Sequence, residues 1–250
     1  MYSTPYHALR LLWPGGLEVR QKLQELERTQ WYSRDELWAW QRAKIQKLIR
    51  YAYDHVLYYQ DRFRSLDIHP EDVKTLKDFQ SLPFLTKEDV NNHLDAMISP
   101  ELRSCALTDF TGGSTGMPMR FAVDKSFHRW DAALELRGRS WYGAREGDKI
   151  ALVWGAQRDM HNWSWRARLK ARALRERYLN AFSMTDNRIK AFADMLVQWQ
   201  PAMFRAYASA ITWFALFIKE QGLSGIRPKL IELTAEKVMG PQRQLLEEVF

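Results

Sequence analysis

The pattern that most restricts how this chain can fold lies between residues 105 and 250, where the apolar period switches repeatedly between two and 3.6. Lys149–Trp154 (KIALVW), Tyr178–Phe182, Ala202–Tyr207 and Lys229–Leu233 (KLIEL) have the length and composition of strands. Segments of helical spacing separate them. The basic stretch after Trp154 is largely helix, and Thr185 caps a helix carrying Ile189, Phe192, Met195, Leu196 and Trp199, stopped by Pro201. A helix from Ser209 carries Trp213, Leu216 and Phe217 and ends by Gly222; Gly240-Pro241 opens a last one with Leu245, Leu246 and Val249. Alternating strands and helices require a mostly parallel sheet covered on both faces, an α/β architecture. Ligands in such sheets sit at the carboxyl ends of strands, where Ala208-Ser209 and Thr234-Ala235-Glu236 would lie.

The first hundred residues are helical and carry no catalytic pattern. Pro14-Gly15-Gly16 breaks the chain before a charged helix over Leu17–Gln30. Ser33 and Glu36 form a capping-box pattern that starts the next helix, along which Trp38, Ile45, Leu48, Ile49, Ala52 and Val56 make an apolar stripe. Thr75, and Thr86 with Asp89, open two short helices. The expected organisation is a helical region over 1–100 packed on a main domain over 101–250.

Between these parts stands Phe110–Phe121, FTGGSTGMPMRF. Cys105–Phe110 reads as a strand entering it and Met119–Val123 as a strand leaving, followed by a helix that Asp124 caps and Gly143 ends. Thr111, Ser114 and Thr115 supply hydroxyls, while Gly112, Gly113 and Gly116 let the backbone turn its N–H groups toward one point, a cradle for phosphate. An ordinary hairpin turn uses the same small residues. Two other phosphate loops are excluded by spacing. Gly112 and Gly116 enclose three residues rather than the four of a Walker loop and are followed by Met117, and G-x-G-x-x-G occurs nowhere.

The string Thr111-Gly112-Gly113-Ser114-Thr115-Gly116-Met117-Pro118 resembles the phosphate-binding loop of the adenylate-forming (AMP-binding) superfamily, most nearly its phenylacetate–CoA ligase and CapK (capsule-biosynthesis) branch. Tyr51–Phe63, Leu82–Val90, Gly147–Leu152, Pro201–Ser209 and Leu233–Glu236 fit the same branch. The resemblance implies an AMP-forming ligase that joins a carboxylate to ATP, releases pyrophosphate and passes the acyl group to coenzyme A or another acceptor. It implies ATP and Mg²⁺, with Thr111 to Gly116 at the phosphates, Thr234, Ala235 and Glu236 bordering adenine, and Tyr207, Ala208 and Ser209 near the acyl group. From the residues alone, Glu236 also fits a carboxylate favoured at a helix start.

Two departures accompany the resemblance. A lysine often stands where this chain has Met117. Members of the family also continue past the equivalent of Phe250 into a further strand, a Tyr-Gly-x-x-Glu motif, a ribose-binding Asp and a mobile domain with a catalytic lysine. None of these is found here. The expectation is therefore an incomplete part of the family's N-terminal domain, inactive by itself, with catalytic residues unassigned.

Composition narrows the remaining classes. One cysteine, Cys105, excludes a disulfide framework, fits a reducing cytosol and reads as a small buried hydrophobe. The six histidines show no metal or triad spacing, and Ile211–Ile218, the longest apolar stretch, is too short for a membrane span. The formal charge of +7 is concentrated in Gln157–Tyr178, where seven basic residues face two acidic ones. This segment reads as a surface helix with its arginines in solvent. It is either an ordinary solvated face or the contact for a polyanion or membrane surface, without specificity for nucleic acid.

Overall fold

A computed structural model describes residues 15–111, 119–155 and 165–250, and of residues 166–168 and 170 it describes the backbone alone. They form two compact units, Leu17–Leu134 and, for the most part, Glu135–Phe250. The first unit is helical, with α1 (Gly16–Thr29), α2 (Arg34–His55), α3 (Leu57–Ser65), α4 (Leu76–Gln80) and α5 (Lys87–His93). The expected capping box at Ser33 is made, and the helix starts expected at Thr75 and Thr86 are capping boxes too. Ser33 pairs reciprocally with Glu36, Thr75 with Asp78 and Thr86 with Asp89. Each carboxylate accepts hydrogen bonds from its cap residue, which lowers its pKa below the ordinary range.

The apolar stripe on α2 is narrower than its spacing predicts. Ile49 is buried with Phe63 and Val73, but Leu48 is 67% exposed. On a 3.6-residue period these two neighbours lie about 100° apart, so a core on one side cannot bury both. Cys105, expected inside, is exposed, and its thiol donates to the Leu102 carbonyl at 3.2 Å. It lies in the irregular turn that precedes β1 (Leu107–Phe110), two residues later than expected. β1 pairs antiparallel with β2 (Arg120–Val123). Asp124 then caps α6 (Lys125–Ser140) by accepting from Phe127 N at 2.7 Å. Gly143 follows with φ 77°, a conformation that favours glycine.

The second unit is built on a four-stranded parallel sheet in the order β4-β3-β5-β6: β3 (Ile150–Trp154), β4 (Glu176–Asn180), β5 (Met203–Tyr207) and β6 (Leu230–Thr234). The crossovers are α7 (Trp165–Ala173), α8 (Asp186–Trp199) and α9 (Ala208–Glu220), and α10 (Gly240–Val249) follows β6. This is the predicted α/β arrangement. One sheet face carries Ala151, Val153, Leu179, Phe204 and Ala206, buried against Ile189, Phe192 and Leu196 of α8, Ile211 and Phe214 of α9, and Leu246 of α10. Phe250 closes this core, its ring 5.1 Å from Phe204 and 6.3 Å from Phe214.

Two local expectations are corrected. Thr185 stands at the N-cap of α8 but its side chain makes no cap hydrogen bond. The strand expected at Tyr178–Phe182 begins earlier, at Glu176, because α7 ends at Ala173 and Arg175 reverses the chain at φ 56°. The shift leaves Phe182 beyond the sheet and 60% exposed.

Two predictions follow from the packing and the caps. Phe214→Ala should cost about 3–5 kcal/mol in urea unfolding, as for other fully buried aromatic residues, while Leu48→Ala should change stability by less than about 0.5 kcal/mol. Since Glu36, Asp78 and Asp89 have depressed folded pKa values, the stability they contribute is present above about pH 4 and is lost as pH falls through those lower values. Thr86→Ala should therefore move the Asp89 carboxyl midpoint upward in a ¹³C NMR titration, and an unmoved midpoint would contradict the cap.

Candidate functional site

The carboxyl ends of β3, β5 and β6 present their residues together, as parallel strands must. Tyr207 ends β5, Ala208 and Ser209 begin α9, and Thr234 ends β6. Ala235 then takes φ 64°, which turns the chain so that Glu236 comes back over the start of α9. The Glu236 carboxylate accepts from Ser209 N at 2.6 Å and from Ser209 Oγ at 2.8 Å. Tyr207, the N-cap of α9, provides no side-chain cap, so a carboxylate from the neighbouring strand's end satisfies an otherwise unpaired N–H there. The helix-start reading of Glu236 is thus right in its physics and wrong in its helix. The carboxylate serves the positive end of α9 rather than of a helix of its own.

An aromatic group stands beside this turn. The Tyr207 ring stacks on Trp154 with centroids 4.5 Å apart and planes 19° from parallel, and Phe182 meets Tyr207 edge-on at 6.5 Å. Of these three rings, the family resemblance pointed to Tyr207 alone. The signal for Trp154 is its place as the last residue of a strand register-matched to β5.

Below these rings the second sheet face is charged. Arg205 and Glu232 are direct cross-strand partners. Arg205 Nη2 lies 2.5 Å from Glu135 Oε1, and its Nε lies 3.2 Å from Glu232 Oε1. Arg139 donates to Glu232 through Nε at 2.6 Å and Nη2 at 3.3 Å, and also reaches Glu135 at 3.3 Å. Burial disfavours the Arg139 cation, yet its bond to Glu232 and the charges of Glu232, Glu135 and Glu176 outweigh that and raise its pKa. Nearby, burial and a 2.7 Å hydrogen bond to Glu176 push the Tyr178 phenol well above its ordinary range, so it stays a donor. None of this network was expected. Its signal is a lone charge inside an otherwise apolar strand, as in MFRAY and LIELT.

Of the phosphate-loop residues, Thr111 is described. Its N donates to the Met119 carbonyl at 3.0 Å, and its Oγ1 accepts from Met119 N at 3.0 Å. These bonds continue the β1–β2 ladder to the base of the loop, which therefore joins two paired strands. Gly112, Gly113, Ser114, Thr115 and Gly116 lie outside the described residues.

The basic segment is not one solvated helix. Arg172 is exposed near the end of α7, but Arg175 and Arg177 fall after it and are half-buried. Arg175 donates to the Gly147 carbonyl at 3.1 Å, and the Arg177 guanidinium lies 5.1 Å from the Trp199 ring. Arg158 and the side chains of Arg166, Arg168 and Lys170 lie outside the described residues. Among the described residues no helix is long and apolar enough to cross a membrane, and no group of three or more His, Cys, Asp or Glu is placed to hold a metal ion.

The fold matches that of solved adenylate-forming ligases. An open conformation of 2-hydroxyisobutyryl-CoA ligase in complex with 2-HIB-AMP and CoA superposes with a TM-score of 0.65 at 19% identity, over 86% of this chain and 52% of that one. The thioesterification state of the same ligase gives 0.65 at 20% identity, over 87% and 47%.

Sequence relatives point the same way. The phenylacetate-coenzyme A ligase of Aromatoleum evansii is 30% identical over 144 residues, covering 57% of this chain and 30% of the ligase. The phenylacetate-coenzyme A ligase of Escherichia coli (strain K12) is 27% identical over 124 residues, covering 48% and 28%. No protein-family model matches the chain. It therefore spans under a third of these curated relatives' length and about half of the solved ligases. The chain is thus similar in sequence to phenylacetate-coenzyme A ligases and in fold to 2-hydroxyisobutyryl-CoA ligase.

Removing the Glu236 carboxylate should weaken the start of α9. Glu236→Ala is expected to cost about 1 kcal/mol, as for other lost helix caps, with Ser209 N exchanging its proton faster in hydrogen-exchange NMR. Unchanged Ser209 protection would show that the contact does not hold in solution.

Proposed function

We propose that this chain is the nucleotide- and acyl-binding part of an AMP-forming acyl–CoA ligase. The observation that carries this reading is the 144-residue match to a phenylacetate-coenzyme A ligase. In the proposed reaction a carboxylate oxygen attacks the α-phosphorus of ATP, pyrophosphate leaves, and the acyl-adenylate is then captured by the CoA thiol with loss of AMP. The relatives are CoA ligases, which favours CoA over the acceptor of a CapK-type capsule pathway.

Thr111, Gly112, Gly113, Ser114, Thr115 and Gly116 are proposed for the nucleotide phosphates, through backbone N–H groups and hydroxyls. Thr234, Ala235 and Glu236 are proposed to border the adenine, and Tyr207, Ala208 and Ser209 the acyl group. The strand-end position of the latter six, and the aromatic surface of Tyr207 and Trp154, suit a planar or apolar ligand with one polar anchor. Mg²⁺ would accompany the ATP phosphates and neutralise their charge. The described residues provide no cluster of carboxylates or histidines for it, so no step is assigned to protein-bound metal.

Calorimetry with ATP and with a non-hydrolysable acyl-adenylate mimic tests the reading directly. Binding is expected, and Gly113→Val should weaken it about tenfold or more by blocking close backbone approach to phosphate. Because these residues match under a third of the relatives, carboxylate-dependent ATP–pyrophosphate exchange is expected to be absent across a panel of acids. Absence of any nucleotide or adenylate binding would refute the proposal.

A further inference from the structure

We infer that Arg205 is a positioning residue for the Tyr207-Ala208-Ser209 turn, acting through Trp154; the inference rests on the ligand-binding reading of that turn. Arg205 and Tyr207 are two residues apart on β5 and so share a sheet face. Trp154, at the end of the adjacent β3, meets both. Its ring stacks on Tyr207 at 4.5 Å, and the Arg205 guanidinium lies 5.1 Å from its centroid. A cation at that distance is attracted by the ring's π-face. Trp154 therefore has two partners from one strand, which fix where its indole sits and, through it, the Tyr207 ring at the mouth of the site.

The carboxylates explain why Arg205 stays in place. A cavity of about 200 Å³ opens beside it, lined by Glu135, Arg139, Ile150, Leu152 and Met203 among others. An unrestrained arginine could swing into this space and leave Trp154. Glu135 and Glu232 flank it at ion-pair distance on two sides, Arg205 Nε making no hydrogen bond of its own, and Arg139 in turn pairs with both carboxylates. Arg205 is thus held by charge on a helix and on the neighbouring strand, while its guanidinium plane supports an aromatic ring. Lysine would keep the charge but not the planar fork.

The test uses the whole 250-residue chain with ¹⁵N-labelled tryptophan, the Trp154 indole signal being assigned by its loss in Trp154→Phe. Arg205→Met should move the Trp154 indole resonance and the Tyr207 ring signals. It should also weaken binding of the acyl-adenylate mimic about tenfold, the order of one desolvated cation–π contact. Arg205→Lys should restore part of both effects. If Arg205→Met lowers thermal stability alone, with the Trp154 signal and the affinity unchanged, the residue is merely structural and the inference falls. If the unmodified chain binds no mimic, the ligand-binding reading fails, and the Trp154 and Tyr207 signals still decide whether Arg205 positions them. Should Arg205→Met not fold, Glu135→Gln loosens the grip while keeping the cation. It must move the same signals in the same direction, and unmoved signals overturn the inference.

Discussion

The second unit depends on β5 pairing with β3 on one side and β6 on the other, because this single strand presents a dry face and a charged face at once. Phe204 and Ala206 are fully buried against α8, α9 and α10, while Met203, Arg205 and Tyr207 point the opposite way. Alternation along a strand permits this only if every second residue suits one environment. MFRAY does so in five residues. The helices that follow β4 and β5 then cover the dry face with their apolar sides.

Parallel pairing has a second consequence at the strand ends. All carboxyl ends lie on one edge, so α9, which follows β5 without a loop, starts beside the end of β6. Its first N–H groups need acceptors, and Tyr207 offers none. Glu236 supplies one from the neighbouring strand, at the cost of a left-handed residue, Ala235. Strain of order 1 kcal/mol at a non-glycine left-handed residue is offset by a charge-assisted cap of similar size. The resulting turn is polar and shaped before any ligand arrives.

Much of this was legible in the sequence, and the misses share a cause. Strands as short as KIALVW and KLIEL are readable because each is bounded by turn residues and filled with apolar ones. The capping box at Ser33 and the helix starts at Thr75 and Thr86 are readable because they are local. Glu236 is recognisable by resemblance, but its contact with Ser209 depends on strand order, which no local pattern encodes. Trp154, Arg139 and Glu135 were missed for the same reason, since their partners on β5 and β6 lie tens of residues away in sequence and only the Glu135–Arg139 pair is local. The basic segment was misread because charge density was weighed without the reversal at Arg175, which puts Arg175 and Arg177 against the fold.

The ion network bears on register as much as on stability. Exposed pairs contribute about 0–1 kcal/mol each, whereas removing one partner of a buried pair costs about 3–5 kcal/mol. With Arg139 13% exposed and Glu135, Glu232 and Arg205 26–28% exposed, this network lies between those limits. Its larger effect is on what it forbids. A one-residue slip of β5 against the core would turn Arg205 to the face now held by Phe204 and Phe214, leaving its charge without Glu135 and Glu232. A slip of β6 would do the same to Glu232. An unpaired buried ion costs several kcal/mol, so the two strands are held at one relative height. That height places Tyr207 level with Thr234 and so brings Ser209 within hydrogen-bonding distance of Glu236. The charged face of the sheet thereby sets the geometry of the edge where ligand is proposed to bind.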